Sequence, residues 1–343
     1  MQAGKRRSAP GKDSTEEARA LTKTAATIAT TLATLIVAGA ALAACGTSAP
    51  GTAQSSPAAS AGASSGATTA YLDLAYARAS KSQKLDIYVP GAGSAPYPVI
   101  LAIHGGAFQR GDKAHTQLSP MLSGLSRGYA VASMNYRLSG EARFPAQIND
   151  VKAAVRWLRA NAATYRLDAG RIAVWGGSAG GHLAALAGTS GGVAALSDPS
   201  QGNGGDSDRV QAVVDWFGPI AFLRMDPQFE ASGAGRAHHD AAGSPESRYL
   251  GAALHRVRGK VKAADATTYI TPDDPPFFIE HGTADGTVPV QQSQRFAAAL
   301  TKALGAGKVT LKVLPGAGHA DRAFFTTPAN VKLVLDWLDA QLK

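Results

Sequence analysis

The chain contains 343 residues, of which 45% are hydrophobic and 17% are charged, and its net charge is +9. This composition excludes a disordered, highly charged tail, because such tails lack the apolar residues that form a core. A single cysteine excludes both an internal disulfide and a zinc site built on cysteines. The basic charge would suit a nucleic acid or a membrane surface, so its location along the chain matters.

Residues 1–44 have the pattern of an export signal. Six basic residues precede an uncharged stretch that begins at Thr24 and ends at Ala44, next to Cys45. A basic leader, an apolar run and a small-residue end are typical of a secretory signal peptide. The four residues from Leu42 to Cys45 resemble a bacterial lipobox, which implies lipidation of Cys45 and anchoring of the exported protein to the cell membrane. The alternative is a plain signal anchor in which the cysteine is incidental.

Residues 45–70 are predicted to form a flexible tether. They are mainly Ala, Ser, Gly, Thr and Pro, and they contain no charged or aromatic residue. Such a segment cannot bury enough apolar surface to offset its ordering entropy. All 4 Trp, 9 Tyr and 10 Phe lie in residues 71–343, which we expect to form one domain. That domain has a net charge of +6 without a long basic run, so we predict no nucleic-acid partner.

From residue 71 onward, short β-prone runs alternate with helical patterns. Several runs are apolar throughout, as expected of strands buried on both faces of a parallel sheet. We predict eight strands, at residues 71–76, 85–89, 99–104, 129–136, 171–175, 210–217, 276–281 and 309–314. Apolar residues at helical spacing predict helices at residues 147–163, 289–304 and 327–342. The alternation implies an α/β fold with a mostly parallel eight-stranded sheet and helices on both faces.

Residues 219–270 interrupt this alternation. They are rich in Gly, Ala and His and lack a strand pattern, so we interpret them as a cap insertion over the edge of the sheet. The pair His238 and His239 could suggest a metal ligand set. However, adjacent side chains point apart and no carboxylate cluster accompanies them, so we predict solvated cap residues and no metal site.

The pattern Gly-x-Ser-x-Gly occurs three times, and one copy has the context of a catalytic serine. Ser64 lies in the tether, and Ser190 has no strand before it. Ser178 follows a predicted strand and precedes a helix-forming stretch, which is the strand–turn–helix context of a nucleophile elbow. Gly176 and Gly180 supply the small residues that this strained turn requires. The helix N-terminus would also stabilise negative charge that develops at the serine.

A second glycine-containing turn follows the predicted strand at residues 99–104. A tetrahedral oxyanion needs N–H donors that are held in fixed positions. We predict that these donors are the backbone N–H groups of Gly106, Ala107 and Ala179. His104 is expected to brace the loop by hydrogen bonds, not to act as a base.

A serine nucleophile needs a base, and the base needs an acid to orient it. His319 follows the last predicted strand, at the edge where ligands meet an open α/β sheet. Asp285 lies in the loop after the preceding strand, so Ser178, Asp285 and His319 occur in the chain order of α/β-hydrolases. The rival acids, which lie before a strand or beside the base, are Asp273, Asp274 and Asp321.

Three blocks of the sequence resemble the hormone-sensitive-lipase-like and feruloyl- or acetyl-xylan-esterase-like branch of the α/β-hydrolases. The blocks are residues 104–113, residues 144–186, and residues 281–290 together with 316–319. The resemblance implies the α/β-hydrolase fold and a serine carboxylesterase that forms an acyl-enzyme. The implied substrates are short-chain esters, including acetyl or feruloyl esters of carbohydrate, and no metal or organic cofactor is implied. Ala107 departs from the pattern, since many relatives have a third glycine there.

The substrate pocket is the part of the site that the sequence defines least. We predict that Phe108, Trp216 and Phe217 line it, with packing at the sheet edge as the alternative for the last two. Two other functions stay open. One is a prolyl-oligopeptidase-like serine peptidase, and the other is a non-catalytic surface protein that uses the hydrolase fold to bind a ligand.

Overall fold

The computed structural model describes residues 68–343, so the predicted signal peptide, Cys45 and nearly all of the tether lie outside the described residues. Within that range, every one of the eight predicted strands is present, with ends that differ by a few residues. The strands are β1 Thr69–Ala75, β2 Lys84–Val89, β3 Tyr97–Ile103, β4 Ala130–Met134, β5 Leu167–Gly177, β6 Ala212–Trp216, β7 Phe277–Gly282 and β8 Val309–Leu314.

The strands form a single mixed sheet in the order β1-β2-β4-β3-β5-β6-β7-β8. The pairs β1–β2 and β2–β4 are antiparallel, and the other five pairs are parallel. The sheet is therefore mostly parallel, as predicted, and its two antiparallel pairs lie at one edge. The order and the helices on both faces establish the α/β-hydrolase fold.

The helices are α1 Ser119–Leu122, α2 Ala146–Ala160, α3 Ala162–Tyr165, α4 Ala179–Thr189, α5 Met225–Ser232, α6 Pro245–Leu250, α7 Arg258–Ala264, α8 Gln291–Leu304, α9 Arg322–Phe325 and α10 Pro328–Leu342. The three predicted helices correspond to α2 with α3, to α8 and to α10. In α10 the hydroxyl of Thr327 accepts the N–H of Asn330, and Pro328 occupies the first turn, where a missing N–H costs nothing. No helix within residues 68–343 is both long enough and apolar enough to cross a membrane.

The strands are apolar throughout because both faces of the sheet are covered. In β3, Val99, Leu101 and Ile103 pack into one core, together with buried residues of α2, α4 and α8. Their neighbours Ile100 and Ala102 point into a second core, formed with α10 and the segment around α1. Burial of each large aliphatic side chain contributes about 1.5–3 kcal/mol. This stabilisation fixes the strand register, and the register fixes the loops that carry the polar residues.

The segment 219–270 contains α5, α6 and α7 and no strand, as predicted. It is anchored through aromatic side chains. The Tyr249 ring stacks on Phe108 with ring centroids 4.0 Å apart, and Phe222 stacks on His182 of α4 at 4.9 Å. The insertion therefore packs against the loop after β3 and against α4.

Candidate active site

Ser178 lies at the sharp turn between β5 and α4. Its φ angle is +57°, a conformation that costs energy for any residue other than glycine. A Cβ atom on Gly176 would lie 2.2 Å from the carbonyl oxygen of Gly180, and one on Gly180 would lie 2.1 Å from the oxygen of Ile103. Both glycines are therefore required by close backbone contacts. The predicted elbow is the observed local structure.

The structure brings together the three predicted residues Ser178, His319 and Asp285. His319 lies in the loop between β8 and α9, and its Nε2 is 2.9 Å from Ser178 Oγ. Its Nδ1 is 2.7 Å from Asp285 Oδ2. The imidazole also meets the Phe217 ring edge-on at a centroid distance of 4.9 Å, which limits its rotation. One imidazole thus connects a hydroxyl to a carboxylate by two hydrogen bonds of normal length.

Asp285 is buried, and both of its oxygens have donors. Oδ1 accepts the N–H groups of Thr287 and Val288 at 2.8 and 2.9 Å. Oδ2 faces Nδ1 of His319, and also Nε2 of His281 at 3.2 Å. Burial by itself would raise the pKa of Asp285, but the hydrogen bonds from His281 and His319 outweigh it, so the pKa lies well below its usual range. Asp285 is therefore an anion at neutral pH.

The loop after β3 presents unpaired backbone donors beside Ser178. Gly106 and Ala107 have φ angles of +112° and +58°, so the loop turns sharply. Gly105 donates its N–H to Gln117 Oε1 at 2.9 Å. In contrast, the N–H groups of Gly106, Ala107 and Ala179 donate to no oxygen atom within residues 68–343. Ala107 takes up the turn although it is not a glycine, and it keeps its N–H.

His104 contacts the loop as predicted. Its Nδ1 is 2.7 Å from the carbonyl oxygen of Gly105, and its ring stacks on Tyr136 at 4.4 Å. Burial lowers the pKa of His104, so the neutral imidazole is favoured. Gly111 leaves room for this ring, because a Cβ there would lie 2.2 Å from His104 Nδ1.

A cavity of about 520 Å³ lies beside the turns that carry Ser178 and His319. Gly177 and Ala320, the chain neighbours of Ser178 and His319, lie in its wall. Trp216 and Phe217, which were predicted to line the substrate pocket, lie in this wall. Further residues of the wall include Gln117, Leu118, Met121, Phe325, Val331 and Leu335.

Phe108 does not line this cavity, and the prediction for it is wrong. Its side chain is 1% exposed and lies between Tyr249, Phe222 and His182 in the core. Its φ angle of +60° turns the side chain away from Ser178. Phe108 therefore anchors the loop from behind.

The side chains of His182 and His239 have partners other than the Ser178 hydroxyl. His182 is fully buried, its Nδ1 contacts the oxygen of Pro219, and burial lowers its pKa to about 4. His239 differs from the prediction of a solvated residue, since it is buried and its Nδ1 is 2.6 Å from Asp226 Oδ1. In residues 68–343 no group of three or more His, Cys, Asp or Glu side chains is arranged to hold a metal ion.

The rival acids have other partners. Asp321 caps α9 by accepting the N–H of Ala323, and Asp273 pairs with Arg209. Asp274 accepts hydrogen bonds from Thr271. Sequence reasoning assigned no role to His281, although it stands in the same short motif as Asp285. Its position at the end of a predicted strand could have indicated that it lies near the site, because ligands meet an open α/β sheet at the C-terminal ends of its strands.

The chain is similar to proteins of known class. The family model described as BD-FAE matches residues 85–300. Among curated proteins, the esterase LipQ of Mycobacterium tuberculosis is 35% identical over 256 residues, which cover 72% of this chain and 56% of that protein. The probable carboxylic ester hydrolase LipM of the same organism is 33% identical, over 65% of this chain and 50% of its own. The chain thus spans about half the length of the curated relatives it matches.

Two solved structures share the fold. A bifunctional GH43-CE protein of Bacteroides eggerthii has a TM-score of 0.71 and 36% identity, over 80% of this chain and 38% of its own. A truncated carbohydrate esterase from gut microbiota has a TM-score of 0.71 and 34% identity, over 81% of this chain and 97% of its own.

Proposed function

Because the chain belongs to the BD-FAE family and has the α/β-hydrolase fold, we propose that it is a carboxylic ester hydrolase with Ser178 as its nucleophile. The observation that carries the proposal is the hydrogen-bonded series from Ser178 Oγ through His319 to Asp285. A serine hydroxyl is a weak nucleophile unless a base removes its proton, and the base works best when a third group holds it. All three groups meet at the edge of the sheet where the cavity lies.

In the first step, Ser178 Oγ attacks the ester carbonyl carbon while His319 Nε2 takes the hydroxyl proton. Asp285 holds the proton on Nδ1 and stabilises the imidazolium that forms. His319 then gives the proton to the oxygen of the leaving alcohol, and the acyl group stays on Ser178. In the second step a water molecule attacks the acyl-enzyme while His319 Nε2 takes a proton from it. His319 then gives this proton to Ser178 Oγ, and the carboxylic acid is released.

The oxyanion of each tetrahedral intermediate needs donors that are in place before the reaction. The N–H groups of Gly106, Ala107 and Ala179 suit this role, because none of them is committed to an acceptor in residues 68–343. The loop is rigid at this point, since Gly105 is bonded to Gln117 and to His104. One such donor contributes about 3–4 kcal/mol to transition-state stabilisation.

The substrates we propose are esters of carbohydrates with a short acyl group, such as acetyl esters, and also feruloyl esters. The carbohydrate esterase among the similar structures supports this class. The cavity supports it too, because aromatic side chains and polar groups share its wall, as is usual for sites that bind small molecules.

Residues 1–45, which lie outside the described part of the chain, support a proposal on location. We propose that the protein is exported and that a lipid on Cys45 anchors it to the cell membrane. A mature protein whose mass spectrum shows an unmodified Cys45 would contradict the anchor.

The test compares Ser178→Ala with Ser190→Ala in the full chain. Ser190 is a matched control, because it also lies in a Gly-x-Ser-x-Gly pattern, but its hydroxyl donates to the carbonyl oxygen of Leu186 and not to a histidine. With p-nitrophenyl acetate, Ser178→Ala should lose at least about 10³-fold in kcat, and Ser190→Ala should stay near wild type.

Reaction with a fluorophosphonate probe should follow the same pattern. Ester hydrolysis by Ser178→Ala at the wild-type rate would refute the proposal. Cleavage of aminoacyl-p-nitroanilides in preference to esters would favour a peptidase. A wild-type protein that fails to react with the probe would favour a binding protein.

A further inference from the structure

Gln117 stands between the loop after β3 and the cavity. Its Oε1 accepts the N–H of Gly105 at 2.9 Å. A Cβ on Gly105 would lie 3.1 Å from this oxygen and 3.4 Å from Ser178 Cβ, so Gln117 and Ser178 flank the same glycine. Gln117 also lies in the cavity wall. The side chain is therefore close to the reacting hydroxyl.

The hydrogen bond with Gly105 fixes the orientation of the Gln117 amide. A backbone N–H can only donate, so the atom of Gln117 that faces it is the carbonyl oxygen, and the other branch is the NH₂ group. This NH₂ group donates to no acceptor within residues 68–343, and the residue is only partly buried. Two N–H donors are thus left without a partner in the part of the chain that the structure describes.

Two neighbouring polar groups on the same wall accept hydrogen bonds within the described residues. Asp112 accepts the N–H of Ala114 and the amide of Asn135. His115 Nδ1 accepts the N–H of Gln117 at 3.2 Å, which caps the short turn that carries Gln117. Leu118 is buried and anchors this turn. Gln117 is therefore held in place, and its NH₂ group is an uncommitted donor beside the glycine that it shares with Ser178.

We propose that the Gln117 amide determines substrate specificity by donating a hydrogen bond to an oxygen atom of the alcohol next to the scissile ester. This inference rests on the proposed esterase function. The ligand class that fits is an ester whose alcohol carries a hydroxyl or ring-ether oxygen near the ester bond, as sugars do. A site built to pair a substrate oxygen discriminates against an analogue that lacks it, because the donor then stays unpaired.

Two esters of nearly equal size test this role. Tetrahydropyran-3-yl acetate has a ring oxygen that can only accept a hydrogen bond, and cyclohexyl acetate has a CH₂ group in its place. The measurement is the kcat/KM of tetrahydropyran-3-yl acetate divided by the kcat/KM of cyclohexyl acetate. We expect this ratio to fall about tenfold in Gln117→Glu, which keeps an acceptor for Gly105 but replaces the NH₂ group by an oxygen.

Two further variants separate specificity from bracing. Gln117→Met removes both the hydrogen bond to Gly105 and the proposed hydrogen bond to the substrate. The ratio should therefore fall as much as in Gln117→Glu, and kcat should fall for both esters because the loop loses its brace. Gln109→Glu makes the same change of charge in the same loop, but Gln109 lies in a different cleft with Arg248. This control should keep the wild-type ratio. Thermal unfolding of each variant shows whether the fold is intact.

The possible failures are distinguishable. If Gln117→Glu lowers kcat/KM for both esters by the same factor, Gln117 is only a brace and the inference is wrong. If Gln109→Glu changes the ratio as strongly as Gln117→Glu, charge is the cause and the inference is again wrong. If the wild-type protein hydrolyses neither these esters nor p-nitrophenyl acetate, the proposed function itself falls, and this inference falls with it.

Discussion

Two buried carboxylates at the ends of neighbouring strands have opposite surroundings. Asp285 follows β7, and its two oxygens face four donors, which are two backbone N–H groups and two imidazoles. Asp215 lies in β6 and is also fully buried. Its Oδ1 accepts only the N–H of Gly218 at 2.9 Å, and its Oδ2 has no partner within residues 68–343. Burial raises the pKa of Asp215 to about 6, whereas the pKa of Asp285 is lowered.

The difference shows that the number of donors, and not burial alone, decides the direction in which the pKa of each carboxylate is shifted. His281 is one of the donors to Asp285, and Asp215 has no such donor among the described residues. The His281 Nε2 faces Asp285 Oδ2 and the oxygen of Val288, which can only accept, so this nitrogen carries the proton. Its Nδ1 then accepts the hydroxyl of Ser293 at 2.7 Å. A tautomer fixed in this way leaves Asp285 charged and ready to hold an imidazolium.

Asp215 is suited to a structural role. A Cβ on Gly181 would lie 2.4 Å from Asp215 Oδ1, and a Cβ on Gly218 would lie 2.5 Å from it. The carboxyl group therefore fills space that two glycines leave open, between the start of α4 and the segment after β6. It braces the turn that carries Ser178 without contacting His319.

The largest expected effect comes from Asp285→Asn. An amide can turn its NH₂ group toward His319, which then favours the tautomer that cannot accept the Ser178 proton. We expect kcat on p-nitrophenyl acetate to fall about 10³- to 10⁴-fold. Asp215→Asn is the matched control and should lose less than about tenfold, since its side chain contacts neither His319 nor Ser178. Equal losses of kcat in the two variants would contradict the conclusion that Asp285, and not Asp215, orients His319.

Much of the site could be predicted because its signals are local. Ser178 stands between a strand pattern and a helix pattern, and the flanking glycines are explained by contacts within a few residues or with the adjacent strand. Asp285 and His319 follow strands whose apolar runs are evident in the sequence. Both therefore fall at the C-terminal edge of a parallel sheet by topology alone.

The rest depends on partners that are distant in the sequence. Phe108 contacts Tyr249, and no local pattern tells that these two rings stack. The contact of Gln117 with Gly105 is likewise a property of the folded loops. His239 resembled a solvated residue because its partner, Asp226, stands at no recognisable spacing from it. Burial of polar residues is decided by tertiary contacts, which periodicity does not report.

The smaller expected effect is on stability, and it concerns Asp215→Asn. Because the folded-state pKa of Asp215 is raised from 3.8 to about 6, the wild-type protein has the full contribution of this group below about pH 4. It loses that contribution as the pH rises through about 6. The asparagine has no proton to lose. The free energy of unfolding of the variant, relative to wild type, should therefore increase by about 2–3 kcal/mol between pH 4 and pH 8.

Urea denaturation at these two pH values measures the change, because all other groups titrate alike in both proteins. For Asp285→Asn, the free energy of unfolding relative to wild type should instead decrease as the pH rises. The lowered pKa of Asp285 contributes stability that is full above its unfolded-state value of 3.8 and is lost as the pH falls below it, so this variant is compared with wild type at about pH 4 and at more acidic pH. Slopes of opposite sign for the two variants would establish that donors lower the pKa of Asp285 and that burial raises the pKa of Asp215. Parallel slopes would contradict this distinction, and with it the argument that donors set Asp285 apart.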